Sequence, residues 1–579
     1  MRAAVKFLIP AICAVASIAH TAPPIEWASH LSGPNFQQAG IVSLSPAGNV
    51  YFTGYAGANS VFGTNSWTFN RTINWFLAKH TAAGRLLWVQ SSERIYGESL
   101  AFDSAENVYV TGQFSDRSQF GNFVLTASNQ LHTFLVKFEP DGDIPWAIAI
   151  SKTDSENSPR VAVGPSGEVY LATTHVRDGA NEDNPDVELN RYDANGNPMW
   201  LPPRVITGPY GANLHDLKVD SAGNAYVSGN IERAATDSAD YFLAKFDPAG
   251  NRLWIVTAYG TDGDDNKSEL AIDNQGFVYI AGDFNGQTAW GTNVLTAPVY
   301  DGVFLAKLNP AGDVLWARGF SGRLTDFDQD AEGNCFLAGD FTATLSLGTN
   351  SLTSRGSSDF FLARFDRDGT PLWVRQAGGA GWDHSPAVSL DQNGNVFMSG
   401  FFMGPMIDFG PQQLTTRGLT DLFIARYNRH GQFFWAQQFG GPDYEYPATD
   451  SDFPDKDWAI DAAGHIYFSA SFWGSATVGT YTFNSAGNTD VFFAKLGVDP
   501  PETLRFLPPV YYQGAAAPHV RIELGGTQGR VPIHIESSTD FNTWTSIYTQ
   551  SVPAQVITIL QTTHQPSDAP AKFYRAVIP

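Results

Sequence analysis

Acidic side chains concentrate in two loop segments of this 579-residue chain. The shorter segment holds Asp262, Asp264 and Asp265, and the longer one, 442–457, holds Asp443, Glu445, Asp450, Asp452, Asp455 and Asp457. Ca²⁺ binds about six to eight oxygen ligands of this kind. Neither segment has the alternating aspartate spacing of an EF-hand loop. Two interpretations therefore stand, a calcium site and a solvated acidic loop.

Aromatic side chains accompany the acids in the same loops. Tyr259, Tyr444 and Tyr446 lie beside the acidic segments, and Trp382 precedes Asp383 in a third loop. An aromatic ring next to hydrogen-bonding groups can stack on the apolar face of a sugar. We therefore take these five residues as candidate ligand-binding residues, with packing against the core as the alternative.

The sequence lacks the established catalytic motifs. It contains no Gly-x-Ser-x-Gly nucleophile elbow, no phosphate-binding loop and no His-Glu-x-x-His pair. The 12 histidines are scattered, without the spacing of zinc ligands. No catalytic residue is assigned, because a glycosidase would need two carboxylates at a defined separation, which a sequence does not show.

A tryptophan recurs along most of the chain at intervals of 54–62 residues. The eight copies are Trp27, Trp88, Trp146, Trp200, Trp254, Trp316, Trp373 and Trp435. Most copies end the same phrase, as in Phe76-Leu-Ala-Lys79 followed by Gly84 and Trp88. A fixed period of this length is typical of a fold that stacks one supersecondary unit many times.

A second phrase, an aspartate turn followed by an apolar strand, precedes each of these. Examples are Asp220 to Gly229 and Asp391 to Gly400. Aspartate bonds its own backbone two residues on, and glycine tolerates positive φ, so the phrase predicts a tight turn. Period-two runs such as Val108 to Gly112 predict strands. Each unit therefore supplies four strands, and the whole predicts the blades of an all-β propeller.

We predict eight blades, with seven as the alternative if one unit does not form. Trp27 precedes the first unit, and no tryptophan follows Lys495 in the last. The N-terminal strand around Trp27 is therefore expected to complete the last blade and close the ring. The third unit is the most divergent, because Val187 to Arg191 replaces the Phe-Leu-Ala-Lys phrase.

These phrases resemble the bacterial SBBP-type propeller repeat, a family named for seven-bladed propellers. The resemblance covers about residues 25–497 and rests on elements that recur in constant order: Asp-x-x-Gly-Asn-x-Tyr, Phe-Gly as at Phe62-Gly63, and Phe-Leu-Ala-Lys. It implies an exported or surface-exposed repeat protein. It implies no particular reaction.

The repeat ends near residue 497, and the segment 498–579 has a different pattern. Strand-like runs at 519–524, 531–536, 545–548 and 555–560 predict a small C-terminal β-sandwich. The phrase from Ile535 to Trp544, with Phe573 to Arg575, resembles the β-domains appended to large secreted bacterial proteins. We expect a separate domain here.

The N-terminus and the charge limit location and partners. Residues 1–19 combine Arg2 and Lys6 with an apolar run, which predicts a cleaved secretory signal too short to span a bilayer. Its removal leaves Cys335 as the single cysteine, so no intrachain disulfide is expected. A net charge of −23 disfavours nucleic acid and anionic membranes as partners.

These patterns predict a secreted or cell-surface repeat protein, without a membrane span. We expect it to bind an extracellular glycan or protein through loops at the propeller mouth, without catalysis. The alternative is an extracellular enzyme acting on polysaccharide. Calcium is the single cofactor that the sequence brings into consideration.

Overall fold

The computed structural model describes residues 21–63, 65–66, 74–127, 131–152, 159–176, 185–232, 239–260, 267–297, 302–446 and 457–498, and the strands of the segment beyond. The predicted secretory signal, 1–19, lies outside these residues. The chain divides into two compact units, Met1–Gly497 and Val498–Pro579. Within the described residues, no helix has the length and apolar character needed to cross a bilayer.

Eight antiparallel sheets, each with four blade strands, make up the first unit, which confirms the predicted eight-bladed β-propeller. The strands follow chain order in blades 1 to 7, and blade 8 takes its fourth strand from the N-terminal segment. Blades 1 to 4 consist of Gln38–Leu44, Val50–Ala56, Asn74–His80 and Leu86–Glu93; Ile95–Phe102, Val108–Phe114, His132–Phe138 and Trp146–Lys152; Arg160–Val163, Val169–Val176, Pro185–Tyr192 and Arg204–Ile206; and Gly211–Val219, Ala225–Glu232, Ala239–Phe246 and Arg252–Gly260.

The remaining blades continue the same order around the ring. Blades 5 to 8 consist of Ser268–Ile272, Val278–Phe284, Gly302–Leu308 and Val314–Ser321; Arg323–Gln329, Cys335–Phe341, Asp359–Phe365 and Pro371–Ala377; Asp383–Leu390, Val396–Met403, Thr420–Tyr427 and Phe433–Phe439; and Trp458–Ile460, Ile466–Val478, Tyr481–Leu496 and Ile25–Ser32. Glu445–Tyr446 also pairs with the second strand of blade 8.

The N-terminal strand closes the ring, as predicted from the position of Trp27 before the first unit. Ile25–Ser32 pairs antiparallel with the end of Tyr481–Leu496, and Trp27 lies opposite Lys495. Lys79 and Trp88 occupy the same cross-strand positions in blade 1. The N-terminal strand is therefore the eighth copy of the tryptophan strand.

Blade strands are apolar on both sides because each blade packs between two others. All seven residues of the second strand of blade 2, Val108–Phe114, are buried. One apolar cluster joins Tyr279 and Leu305 of blade 5 to Phe361 of blade 6. Burial on both faces removes the polar alternation that one-sided sheets show.

Two kinds of connection emerge on opposite faces of the ring. Turns that join first to second strands and third to fourth strands lie on one face, which we call the turn face. Loops that join second to third strands, and each fourth strand to the next blade, lie on the other, which we call the mouth face. Short hairpins such as Gln287–Trp290 with Asn293–Thr296 also belong to the mouth face.

The aspartates of the repeat hold the turns together. The Oδ1 of Asp103 accepts hydrogen bonds from the backbone amides of Ala105 and Asn107, both at 2.9 Å. The same bonds recur at Asp193, Asp220, Asp273, Asp330, Asp366, Asp391 and Asp461. The structural interpretation of these aspartates is confirmed.

The lysine and the tryptophan of the repeat fasten each blade to the next. Lys79 Nζ and Trp88 Nε1 both donate to the carbonyl oxygen of Pro140, at 2.8 and 3.0 Å. That carbonyl belongs to a turn of the following blade, and we call this pair of donors the latch. The ammonium group also lies over the ring of Tyr51, 5.3 Å from its centroid. Equivalent latches, with arginine in place of lysine in some blades, reach Ala194, Pro248 and Arg429.

The divergent third blade still forms all four strands. Its outer strands are short, with four residues in Arg160–Val163 and three in Arg204–Ile206. Pro202 and Pro203 follow Trp200, and prolines lack the amide needed to extend a strand ladder. The alternative of seven blades is therefore wrong.

The second unit contains the strands Arg505–Phe506, Val510–Tyr512, His519–Arg521, Leu524–Gly525, Val531–Ser538, Thr545–Val552 and Phe573–Val577. The last three form one antiparallel sheet, with Val531–Ser538 in the centre. The other four form two pairs. A β-sandwich for this unit stays a prediction.

Candidate functional site

Exposed aromatic side chains of the described residues all lie on the mouth face. They are Phe36, Tyr96, Tyr210, Tyr259, Trp382 and Trp473, between 41 and 57% exposed. Each lies at the start of a first strand, the end of a second strand or the end of a fourth strand. On the turn face, aromatic rings such as those of Tyr51 and Trp88 instead contact each other around the latches.

The structure places the predicted aromatic residues on three separate blade junctions. Tyr259 ends blade 4, Trp382 precedes blade 7, and Tyr444 precedes blade 8. Tyr259 and Trp382 are 57 and 55% exposed, whereas Tyr444 is half-buried. Tyr446 pairs with Ser471, and its side chain lies outside the described part of the structure.

Asp383, also predicted from the sequence, does not face solvent. Its side chain is fully buried, and Oδ2 accepts a hydrogen bond of 3.0 Å from the amide of Gly379. Glu445 has the same place at the next junction: it is 1% exposed, and Oε1 accepts from Gly441 at 2.9 Å. These two carboxyl groups hold the loops from beneath and do not line the surface.

Each of these carboxyl groups has a second carboxyl group beside it. Asp421 Oδ1 and Glu445 Oε2 both lie against the backbone at Gly440, and neither oxygen has a hydrogen-bond partner. Burial raises the pKa of Glu445 to about 9, with the charge of Asp421 as the next cause. Burial likewise raises the pKa of Asp421 to about 6. The pair therefore holds at least one proton at neutral pH.

The preceding junction repeats this arrangement with two aspartates. Burial raises the pKa of Asp383 to about 7, and the neighbouring Asp359 adds to this rise. The Oδ1 of Asp383 is also a buried oxygen without a partner. Both pairs are covered, so neither has the accessible acid and base of a hydrolase.

Sequence reasoning missed Phe36, Tyr96, Tyr210 and Trp473. A signal for Phe36 was present, because Gly33-Pro-Asn-Phe36 has the same pattern as Gly441-Pro-Asp-Tyr444. The first of these phrases precedes the first complete unit, so it does not stand out as part of a repeat. The other residues carry no comparable repeat.

Most of the predicted calcium ligands lie outside the described residues: Asp262, Asp264, Asp265, Asp450, Asp452 and Asp455. Asp443 is half-buried, and its backbone carbonyl accepts from Leu419. Asp457 precedes the first strand of blade 8, and its backbone carbonyl accepts from Ser469. In the described residues no three acidic, histidine or cysteine side chains meet at metal-binding distance. A calcium site stays a prediction.

A cavity of about 400 Å³ lies among the first strands of blades 4 to 6. Its carboxylates bond to the next blade: Asp216 accepts from Leu270 at 3.0 Å, and Asp328 from Leu390 at 3.1 Å. Lys218 lies 3.3 Å from Asp216. The polar groups of this cavity are thus part of the inter-blade bonding.

Comparisons with known proteins agree with a repeat protein but do not assign a family. No family model matches the chain. A curated relative, an uncharacterised WD repeat-containing protein of Acanthamoeba polyphaga mimivirus, is 22% identical over 423 residues. The match covers 62% of this chain and 29% of that relative's length.

Solved structures resemble the chain only distantly. A eukaryotic initiation factor matches 82% of this chain and 98% of its own, at 9% identity and a TM-score of 0.40. The polysaccharide lyase Uly1 matches 82% and 100%, at 10% identity and 0.36. An α-L-arabinanase of Penicillium chrysogenum, complexed with arabinobiose, matches 70% and 93%, at 10% identity and 0.33. The class of protein is a repeat-built, eight-bladed β-propeller, defined by its own sheets.

Proposed function

We propose that this protein is a binding module that engages an extracellular macromolecule through the mouth face of the propeller. The observation that carries the proposal is the segregation of exposed aromatic side chains onto that face. Tyrosine and tryptophan provide large contact areas at little cost in conformational entropy, which makes them frequent anchors of binding surfaces. The repeated motif elsewhere is used for blade packing.

Catalysis has less support than binding. The carboxyl groups that follow Trp382 and Tyr444 in the chain, those of Asp383 and Glu445, are buried under loops and bonded to backbone amides. A propeller fold hosts both binding proteins and enzymes, so the fold itself does not decide between them.

The proposal includes export of the protein and its kinship with a family of propeller repeats. The pattern of residues 1–19 supports export, and the ordered phrases of the blades support kinship with SBBP-type propeller repeats. Mass determination of the protein recovered from the growth medium tests export. A chain that stays inside the cell with residues 1–19 intact would contradict it.

The binding proposal is tested on an array of glycans and cell-wall preparations with the purified protein. We expect retention by at least one preparation, weakened by Trp382→Ala. Leu372→Ala is the matched control, because this side chain is 47% exposed but lies at the turn-face end of its strand. Equal loss in both variants would contradict a mouth-face site. Conversion of a glycan, abolished by a carboxylate substitution, would replace binding by catalysis.

A further inference from the structure

Three neighbouring junctions of the ring carry one and the same loop. The loops are 378–384 between blades 6 and 7, 440–446 in the first part of the connection from blade 7 to blade 8, and 33–38 between blades 8 and 1. We call them the junction loops. Each begins with glycine and places an aromatic residue just before a buried acid or amide: Trp382 before Asp383, Tyr444 before Glu445, and Phe36 before Gln37.

A hydroxyl group fastens each junction loop at the same point. Ser358 Oγ donates to the carbonyl of Asp383 at 2.8 Å and accepts from its amide at 3.2 Å. Thr420 bonds both backbone groups of Glu445, each at 3.1 Å. Thr489 does the same for Gln37, at 2.6 and 3.2 Å. The three junctions therefore share one pattern of hydrogen bonds.

A glycine two residues before each hydroxyl group allows the loop to lie close to it. At Gly418 a Cβ atom would lie 2.5 Å from the carbonyl oxygen of Pro442. At Gly356 it would lie 2.7 Å from that of Gly381, and at Gly487 2.6 Å from that of Pro34. Real Cβ atoms do not approach so closely, so only glycine fits. The three loops are thus rigidly built copies of one device.

Other junctions of the described residues are made differently. Between blades 1 and 2, Arg94 alone separates the strands, and Gly322 does so between blades 5 and 6. The junction loops therefore form a continuous arc over three consecutive junctions, and we call this the arc.

The two acidic side chains that support the arc, Asp383 and Glu445, are buried. The guanidinium groups of Arg355 and Arg417 donate to the loop carbonyls of Gly378 and Gly440, at 3.3 and 3.4 Å. Both arginines are exposed, so the arc offers aromatic rings beside hydrogen-bonding groups, a combination that suits a sugar.

We infer that the arc is one extended binding site for a chain of sugars, with one aromatic ring per subsite. This inference rests on the proposed function of the mouth face. A sugar ring offers apolar C–H groups to an aromatic face, and its hydroxyl groups bond to nearby backbone. Equivalent rings on consecutive blades fit a polymer that repeats one unit. Rigid loops reduce the ordering cost of binding.

Ring orientation supports this use at the best-exposed position. Trp382 lies 4.7 Å from His384 between ring centroids, and His384 in turn stacks on Phe401 at 6.1 Å. The indole is held from one side and 55% exposed overall. A supported ring with an open face is the arrangement that stacking on a ligand requires.

The test is calorimetric titration of the full chain with uncharged β-1,4-linked oligosaccharides of glucose, mannose and N-acetylglucosamine, from disaccharide to octasaccharide. We expect affinity to rise with chain length until the ligand spans the three subsites, and then to level off. Trp382→Ala, Tyr444→Ala and Phe36→Ala should each weaken binding of the long ligand about tenfold, which corresponds to the loss of one stacked ring.

Val294→Ala is the control outside the arc, since Val294 is 63% exposed in the mouth-face hairpin of blade 5. Melting curves establish that each variant is folded. A loss at Val294 as large as at Trp382 would overturn the arc but keep a mouth-face glycan site. Binding of peptides alone would overturn the sugar assignment and leave the proposed function standing. No ligand at the mouth face would overturn both.

Variants at Thr420 test whether the fastened position of the loop is needed for binding, in addition to the ring of Tyr444. Thr420→Val removes the two bonds that fasten the loop of Tyr444, whereas Thr420→Ser keeps the hydroxyl. We expect the valine variant to lose affinity for the long oligosaccharide and the serine variant to retain it. Equal affinity of the two variants would contradict the role of the fastened loop.

Discussion

The turn face and the mouth face of this propeller are built from the same strands but obey different rules. On the turn face, an aspartate turn and a lysine–tryptophan latch recur with little variation around the ring. On the mouth face, three adjacent junctions share one loop, whereas two other junctions are single-residue connections, at Arg94 and Gly322.

The difference shows which repetition serves architecture and which serves recognition. Attachment to the next blade serves packing, and the full latch recurs in four blades. A feature restricted to an arc breaks the equivalence of the blades, and blade packing does not require it. The following tests perturb first the architecture and then the mouth face.

Removal of the closing strand should have the largest effect. Deletion of residues 21–32 exposes the edge of Tyr481–Leu496, and unpaired strand edges promote aggregation. We expect a broadened melting transition and oligomers in light scattering. Glu26→Gln is the control, because it removes the contacts of a half-exposed carboxylate with Lys495 and His465 but keeps the strand, a change worth at most about 1 kcal/mol. A monodisperse deletion variant with unchanged melting would show that the ring closes in another way.

Loss of one latch should destabilise the turn face strongly. Trp373 is 6% exposed, and its Nε1 donates to the carbonyl of Arg429 at 3.0 Å. We expect Trp373→Ala to lower the free energy of unfolding by about 3–5 kcal/mol, as for other buried aromatic truncations. Leu372→Ala, at an exposed neighbouring position, should change it by less than about 0.5 kcal/mol. Urea titration measures both, and similar values would contradict the latch.

The carboxyl pair of the mouth face should make stability depend on pH. Because burial raises the pKa of Glu445 from 4.5 to about 9, its stabilising contribution is complete below pH 4.5 and is lost as the pH rises toward 9. A tenfold change in proton affinity corresponds to about 1.4 kcal/mol, so we expect the free energy of unfolding to fall by at least about 2 kcal/mol across this range.

The variant Glu445→Gln should flatten this dependence. The ring already contains such a junction, where Gln37 takes the place of the acid and bonds to Ser60. Asp443→Asn is the control, because it neutralises a neighbouring carboxyl group but keeps the pair of Glu445 with Asp421. Parallel pH profiles of the wild type and the glutamine variant would exclude the pair as the cause.

Calcium should have the smallest effect. If the carboxylates of segment 442–457 repel one another, Ca²⁺ at ten times its dissociation constant should stabilise the native state by about 1.4 kcal/mol, and millimolar Ca²⁺ should therefore raise the melting temperature. The variant carrying Asp450→Asn and Asp452→Asn should lose this response. Identical melting curves of the wild type with and without calcium would leave a solvated acidic loop.

Repetition decided what the sequence could predict. The eightfold recurrence of tryptophan and the offset of Trp27 from Lys495 were sufficient for the blade number and the closure, because they record strand pairing directly. The aspartate turns were predictable because Asp and Gly satisfy a local backbone requirement. These features depend on neighbours in the chain or on the period.

The candidate site was predicted less well because it depends on burial. Asp383 and Trp382 are adjacent in sequence, yet one side chain is fully buried and the other is 55% exposed. Asp383 lies against a segment around Ser358, which is 25 residues away in the sequence. No local pattern distinguishes an acid that lines a surface from one that supports it.

The closing strand also sets an order of events during synthesis. Ile25–Ser32 leaves the ribosome early, whereas its pairing partner around Val491 follows about 460 residues later. At about 5–20 residues per second, the strand waits roughly half a minute to a minute and a half before it can pair. Blades 1 to 7 can assemble in this interval, each on the last. The ring is therefore finished by a strand that is made long before its partner, and a delay late in synthesis prolongs the time for which an unpaired strand is available to other chains.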